Sequence, residues 1–306
     1  MTKTPRSLIE LFATFRTEED CRHALFCHRW PDGFACPRCG GDHAYPIANR
    51  STYECSACGH QTSVTAGTIF HKTRTPLLKW FAAIHLLSTT TKALSAAELA
   101  RQLGVANQTA WTMRRKIVNA MVGDERLCGL VEMDESYVGG KRAGSAARDT
   151  WKRTPVAVMA ERTESGGLGE VAMSVIPDAT ARSLLSAARS SIAPGSQVAT
   201  DGWRAYRFLA AAGYDHVAIV QGCPEMASEV LPLVHMVISN FKRWILDVFH
   251  GVSRKHLQSY LDEYVYRLNR RHARSDLFRR VLNRCCRYFG PITYAEITGR
   301  HPELIG

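Results

Sequence analysis

Val131-Glu132-Met133-Asp134-Glu135-Ser136-Tyr137-Val138-Gly139-Gly140 runs apolar as far as Asp134 and then gives way to small and glycine residues, the pattern of a short core strand ahead of its turn. An aspartate on a core strand costs free energy unless something pairs with it, and a divalent metal is one such partner. A second lone aspartate follows an apolar run later, in Val198-Ala199-Thr200-Asp201-Gly202-Trp203. Two carboxylates on neighbouring strand ends suit Mg²⁺, a hard cation that takes oxygen ligands in octahedral geometry. Read singly, Asp134 and Asp201 serve equally well as turn or cap residues. The rest of the chain tips the balance toward chemistry.

The chain has 306 residues, 45% hydrophobic and 22% charged, which leaves room for two or three domains. No apolar run reaches the roughly eighteen residues of a membrane span. The first residues, Met1 to Arg16, are polar and mixed rather than a signal peptide, so the expectation is a cytoplasmic protein. The formal net charge is +11, from 39 Lys and Arg against 28 Asp and Glu. That excess favours a polyanionic partner, most simply nucleic acid. Ten cysteines in a chain of this length without a leader argue against a disulfide framework.

Residues 1–30 read as a helical lead-in, with Cys21 and Cys27 as small buried hydrophobes. A ribbon follows over 31–66. Cys36-Pro37-Arg38-Cys39 and Cys55-Ser56-Ala57-Cys58 are two C-x2-C knuckles, each followed by a glycine (Gly40, Gly59) that lets the backbone turn around a metal. Four thiolates delivered in this way make the sulfur cage that structural Zn²⁺ prefers. A redox reading needs one C-x-x-C beside a βαβ pattern, and none is present. Residues 67–124 carry an apolar helix around 77–84 and then Leu94 through Lys116. Ser95 with Glu98 reads as a capping box, Gly104 as a tight turn, and Val105, Ala110 and Met113 as a continuing buried face, together a helix-turn-helix. Its second helix offers Gln108, Thr109 and Thr112 to base edges and Arg114, Arg115 and Lys116 to phosphates; an αα-hairpin packed inside the protein is the plainer alternative.

From 125 to 252 the periodicity becomes that of strands: apolar runs at 129–133, 155–160 and 168–176, an amphipathic helix over 179–192, the strand bearing Asp201, a helix from Trp203 to Leu209, and a strand at 216–220. The loop after the first strand starts at Gly139-Gly140-Lys141-Arg142. The β-β-β-α-β-α-β order is that of a ribonuclease-H-like domain, whose first and fourth strands lie side by side. The last region, 253–306, is helical and basic, with Tyr260, Tyr264 and Leu268 as its buried stripe, Cys285-Cys286 in the core, and arginines such as Arg267, Arg270 and Arg271 facing either solvent or a DNA backbone.

These motifs in combination, with Val234-His235, Ser239-Asn240-Phe241-Lys242-Arg243-Trp244, Lys255 to Tyr264 and Arg267-Leu268-Asn269-Arg270-Arg271, resemble the bacterial insertion-sequence transposases of the ISXO-like type. The resemblance spans nearly the whole chain. It implies a multidomain protein: an N-terminal zinc ribbon, an all-α helix-turn-helix region, and an α/β catalytic core of the DDE type with a mixed five-stranded sheet and a helical C-terminal extension. It also implies two catalytic Mg²⁺ or Mn²⁺ ions, double-stranded DNA at element ends and target, and a homo-oligomer that holds two ends together. Asp134 and Asp201 would be the first two metal ligands. Where DDE enzymes place a glutamate third, this chain offers Asn240, followed by Lys242 to hold DNA. His235 competes for the third place. Ser239-Asn240 reads as a helix start, which would leave His235 in the preceding strand or loop. Glu135, on the opposite face of its strand from Asp134, is left to support the site. A nuclease or resolvase without strand transfer shares the same acids, and a DNA-binding regulator with an inactive core shares the ribbon and helices.

Overall fold

In the computed structural model, residues 4–90, 92–123, 125–139, 153–219, 231–249 and 252–287 are described. The loop beyond Gly139 with Lys141 and Arg142, and the chain after Arg287, lie outside them. The chain divides into two compact units, 1–121 with 273–306, and 122–272.

In the second unit the side-chain alternation of Leu130–Val138 (β4) decides what lies on each face. Val131 and Met133 enter one apolar cluster, together with Leu184, Ala188 and Ile192 on and just after the helix Ala181–Ser191 (α6). Val138 enters the other, with residues of Pro232–Phe249 (α8) and Arg254–Asn269 (α9). The sheet runs Leu168–Val175 (β6), Thr154–Arg162 (β5), β4, Gln197–Asp201 (β7), Asp215–Ile219 (β8). β4 is antiparallel to β5 and parallel to β7, so the first and fourth strands of the domain are neighbours, as expected. The stretch from Trp203 to Leu209 differs from expectation. It is a 3-10 turn at Arg204–Tyr206 followed by the single α-turn Phe208–Ala211 (α7), because Tyr206 and Leu209 are already buried within that span.

The open edge at β6 is closed by side chains of α9 and its C-terminal end. Gln258 accepts the Val175 N–H at 2.7 Å and donates to the Met173 carbonyl. Asn269 makes the same two-way contact with Val171, and Arg271 donates to the carbonyls of Gly169 and Leu168. The expected stripe is present, with Tyr264 buried and Tyr260 and Leu268 packed beside it. The basic residues are another matter. Arg271 is engaged with β6, Arg267 pairs with the buried Glu263 at 3.0 Å, and Arg270 pairs with Glu125 and lies over the Tyr266 ring. A free DNA-facing row on this helix is therefore not what these arginines form.

In the first unit, Leu8–Thr14 (α1) is capped by Ser7, and Glu18–Arg29 (α2) by a full capping box between Thr17 and Asp20. Cys21 is buried as expected, but Cys27 is exposed, on the outer side of the helix. Leu77–Thr89 (α3) begins at Pro76, which offers no side-chain cap; the Glu18 carboxylate accepts the Leu77 and Leu78 N–H groups at 2.9 and 3.1 Å instead. Ala96–Leu103 (α4) and Asn107–Met121 (α5) are joined through Gly104, at φ 58°. Ser95 caps α4, whereas Glu98 turns outward to Arg101 and Gln102 rather than closing the box. The last helix, Leu277–Cys286 (α10), packs with this unit, burying Phe278, Cys285 and Cys286. The stretch read from sequence as one basic C-terminal region is thus shared between the two units.

Candidate active site and zinc centre

The ribbon is built from Ala44–Ile47 (β1), Thr52–Cys55 (β2) and Gln61–Thr62 (β3), paired antiparallel in that order. Its small hairpin is supported by an aromatic cluster in which Phe26, Trp30 and Phe34 surround Tyr53. Gly40 and Gly59 take φ of 77° and 66°, and their N–H groups fold back on the Cys36 and Cys55 carbonyls. The four sulfurs of Cys36, Cys39, Cys55 and Cys58 then lie within 4.8 Å of one another. Cys36 and Cys58 are 3.7 Å apart and Cys39 and Cys55 3.6 Å. A tetrahedron with Zn–S bonds of about 2.3 Å has edges of about 3.8 Å, so the cage fits Zn²⁺. Without a metal the crowded thiols share protons: against desolvation, the N–H groups of Cys39 and Arg38 lower the Cys36 thiol, while Cys39, against the Gly41 N–H, is raised by hydrogen bonds to its neighbouring sulfurs. This is a structural zinc site.

The acidic site forms at the C-terminal ends of β4 and β7. The parallel register ends with Glu132 opposite Ala199, and Asp134 and Asp201 each stand two residues further along their strands. Two residues is one side-chain period, so both carboxylates face the α8 side of the sheet. Asp134 is mostly buried, its side chain 15% exposed. Burial pushes its carboxyl up to about 6, and the Asp201 charge adds to this; the Glu135 N–H and the Lys242 ammonium oppose it. Asp201 accepts the Trp203 N–H at 3.1 Å, which fixes the turn after β7. Glu135 points to the other face, as expected. There the buried Tyr206 donates to it at 2.5 Å, and burial together with the two aspartates raises its pKa.

The third element differs from expectation. α8 starts at Pro232, not at Ser239-Asn240, because the first turn is already satisfied by a distant carboxylate: Glu132 Oε2 accepts the Leu233 and Val234 N–H groups at 2.8 and 3.2 Å. His235 is therefore helical, and its Nε2 lies 4.0 Å from Asp134 Oδ2. Lys242, two turns on, shares that face. Burial and Arg153 lower its pKa, while Asp134 draws it the other way. Asn240 is exposed and lies about 140° around the helix from His235. The reading that preferred Asn240 rested on a helix start that the structure does not have.

The candidate DNA-reading residues divide by face. Gln108 is exposed at the start of α5, Thr109 and Thr112 are half-buried, and the Thr112 hydroxyl donates to the Gln108 carbonyl. Arg114 and Arg115 are buried, Arg114 donating to the Leu94 carbonyl, and Lys116 donates to the Ile69 carbonyl. Phosphate contact by these three does not fit their placement. The spacing of Ala110, Met113, Ile117 and Val118 carries the signal, since it puts position 114 inside the apolar stripe.

A four-thiol ribbon stands ahead of a mixed sheet with acids at adjacent strand ends, and both regions have counterparts among known proteins. Residues 126–269 match the model described as the ISXO2-like transposase domain, and residues 16–61 the one described as the transposase zinc-ribbon domain. The chain thus carries one region similar to the ISXO2-like transposase domain and, ahead of it, one similar to the transposase zinc ribbon. A relative from Halobacterium salinarum, named as an uncharacterized protein in transposable element ISH50, is 29% identical over 221 residues, covering 63% of this chain and 70% of the relative. No helix among the described residues is long and apolar enough to cross a membrane.

Proposed function

We propose that this protein is a DDE-type transposase that binds the ends of its insertion sequence and carries out phosphodiester hydrolysis and strand transfer in one ribonuclease-H-like site. The observation that supports this most is the acid pair. Asp134 and Asp201 face one side of the sheet at the ends of adjacent interior strands, the Asp201 charge adds to the burial that raises the Asp134 carboxyl, and a hard divalent cation relieves that conflict. Mg²⁺ or Mn²⁺ held there, as two ions, would polarise the scissile phosphodiester and activate the attacking water. Asp134, Asp201 and His235, the last in place of Asn240, would hold the metal. An imidazole ligand suits Mn²⁺ better than Mg²⁺. The donors do not close into a cage as the thiols do, which suits a site that completes its coordination with substrate phosphate.

Lys242, facing Asp134 from α8, holds a non-bridging phosphate oxygen beside the acids. Hydrolysis breaks the P–O3′ bond at the element end, leaving a 3′-hydroxyl and a 5′-phosphate. That hydroxyl then attacks a target phosphodiester in the same site, forming one P–O bond as another breaks, with no external energy source. The exposed N-terminal turn of α5 reads base edges through Asn107 and Gln108, and two chains act together to hold two ends. The test places the gene with its native flanking DNA on a plasmid and counts new insertions in cells. Insertions from the intact protein that vanish with Asp201→Ala support the proposal; cleavage without joining by the purified protein would make it a nuclease instead.

A further inference from the structure

Of the two carboxylates on β4 that the chemistry above does not use, Glu132 and Glu135, the first is almost completely buried, at 2% exposure. Both of its oxygens are engaged. Oε1 accepts from Arg162 at 2.6 Å across the neighbouring strand, and Oε2 accepts the first two free N–H groups of α8, those of Leu233 and Val234. The next residue along the helix is His235, which stands against Asp134. Glu132 and Asp134 are one side-chain period apart on the same face of the strand, about 6.6 Å along it. Two consecutive inward acids of β4 thus meet the start of one helix: the first holds its backbone and the second meets its first functional side chain. Leu231, just ahead of Pro232, has no side-chain acceptor to offer, and the Leu233 and Val234 N–H groups at the start of α8 are held by this distant carboxylate, which ties the helix's axial position and rotation to it.

From this geometry we propose that Glu132, backed by Arg162, is a positioning residue of the active site, setting the height and rotation of α8 so that His235 and Lys242 are presented to Asp134. The inference rests on the acid pair being the reactive centre. The side chain has to be a carboxylate because both neighbours are donors. A glutamine has one acceptor end, so its NH₂ must point either at the guanidinium or at the helix N–H groups, and one contact is lost to a donor–donor clash. The buried, charge-assisted contacts make the clamp stiff, and an error of about 1 Å in a reacting group costs on the order of 10²-fold in rate.

The experiment compares the intact protein with Glu132→Gln, Glu132→Asp and Arg162→Lys, using a duplex copied from the DNA flanking the gene and Mn²⁺. Two readouts are taken: the rate of strand cleavage at saturating DNA, and amide hydrogen exchange. For Glu132→Gln we expect cleavage on the order of 10²-fold slower with DNA affinity unchanged. Exchange should be at least ~10-fold faster at Leu233 and Val234, with strands β4 and β5 still protected. Glu132→Asp should recover part of both, and Arg162→Lys, whose site is a third exposed, should show a smaller loss of the same kind. The proposal is overturned if exchange at the helix start is unchanged, or if it quickens without slowing cleavage. It is equally overturned if protection of the whole sheet is lost in Glu132→Gln and Arg162→Lys alike, which would make the pair a core support only. An intact protein that cleaves nothing would count against the functional reading, while the exchange result would still judge the clamp.

Discussion

The zinc ribbon and the acidic site proposed to hold a divalent metal solve the same problem at opposite ranges. The ribbon collects four thiols from two knuckles within a short hairpin, and glycine conformations written into the sequence bring them together. The acidic site collects Asp134, Asp201 and His235 from two strands and a helix far apart in the chain, and no local motif joins them. In the first region the metal supplies the folding free energy that so small a unit lacks. In the second a large apolar sheet supplies the scaffold, and the carboxylates are held there at a cost. Metal should therefore create structure in one place and relieve strain in the other.

The largest effect expected from this contrast is on the ribbon. Cys55→Ser or removal of zinc should unfold residues 31–66, since structural zinc is worth about 10–16 kcal/mol in such units. Loss of bound zinc by elemental analysis, with exchange protection in β4–β8 kept, is the result that upholds the contrast; a collapse of both regions would break it.

At the acidic site the sign should reverse. Asp134→Asn should abolish cleavage yet stabilise the metal-free protein at pH 7. Burial lifts the folded carboxyl to about 6 from an ordinary 3.8, so between these values the folded state holds the extra proton. Stability of the metal-free protein should accordingly fall as pH rises from about 4 to about 6, by at most about 3 kcal/mol from this group. Denaturant melts across that range should show the slope in the intact protein and lose it in Asp134→Asn. A slope that survives the substitution would mean another group is responsible.

Between the two candidates on α8, His235→Ala should weaken Mn²⁺ binding on the order of tenfold, as losses of metal-supporting groups do, while Asn240→Ala should leave it near the original value. Calorimetric titration decides, and the opposite ranking would restore Asn240. The smallest effect is expected at Gly41, where an added Cβ would sit 3.2 Å from Cys55 Sγ and 3.4 Å from Cys39 Sγ. Gly41→Ala should press on the sulfur cage and cost about 1 kcal/mol, seen as faster zinc transfer to a chelator.

The same difference in range explains what could be read from the chain. The C-x2-C spacing, the alternation along β4 and the Ser95 cap of α4 act over a few residues, and each appears where expected, although Glu98 does not complete the capping box. Asp134 and Asp201 were legible because an acid in an apolar strand is costly wherever it lies. The start of α8 was not, because Ser239-Asn240 carries an ordinary local cap signal while the acceptor that prevails, Glu132, is far away in sequence. α3 is begun in the same fashion by Glu18, again behind a proline. Charge was the least readable feature. Arg114, Arg115, Lys116 and Arg271 look like a nucleic-acid surface in composition, yet Arg114, Lys116 and Arg271 donate to backbone carbonyls and Arg115 is buried over the Trp111 ring.

The amide and guanidinium side chains that cover β6 also restrict how copies of this protein can meet. Val171, Met173 and Val175 would otherwise offer a ready row of donors and acceptors to any extended segment, but Gln258, Asn269 and Arg271 already occupy it. Continuous sheet formation between subunits through that strand is closed off, so a complex that gathers two DNA ends has to be joined through some other part of the molecule.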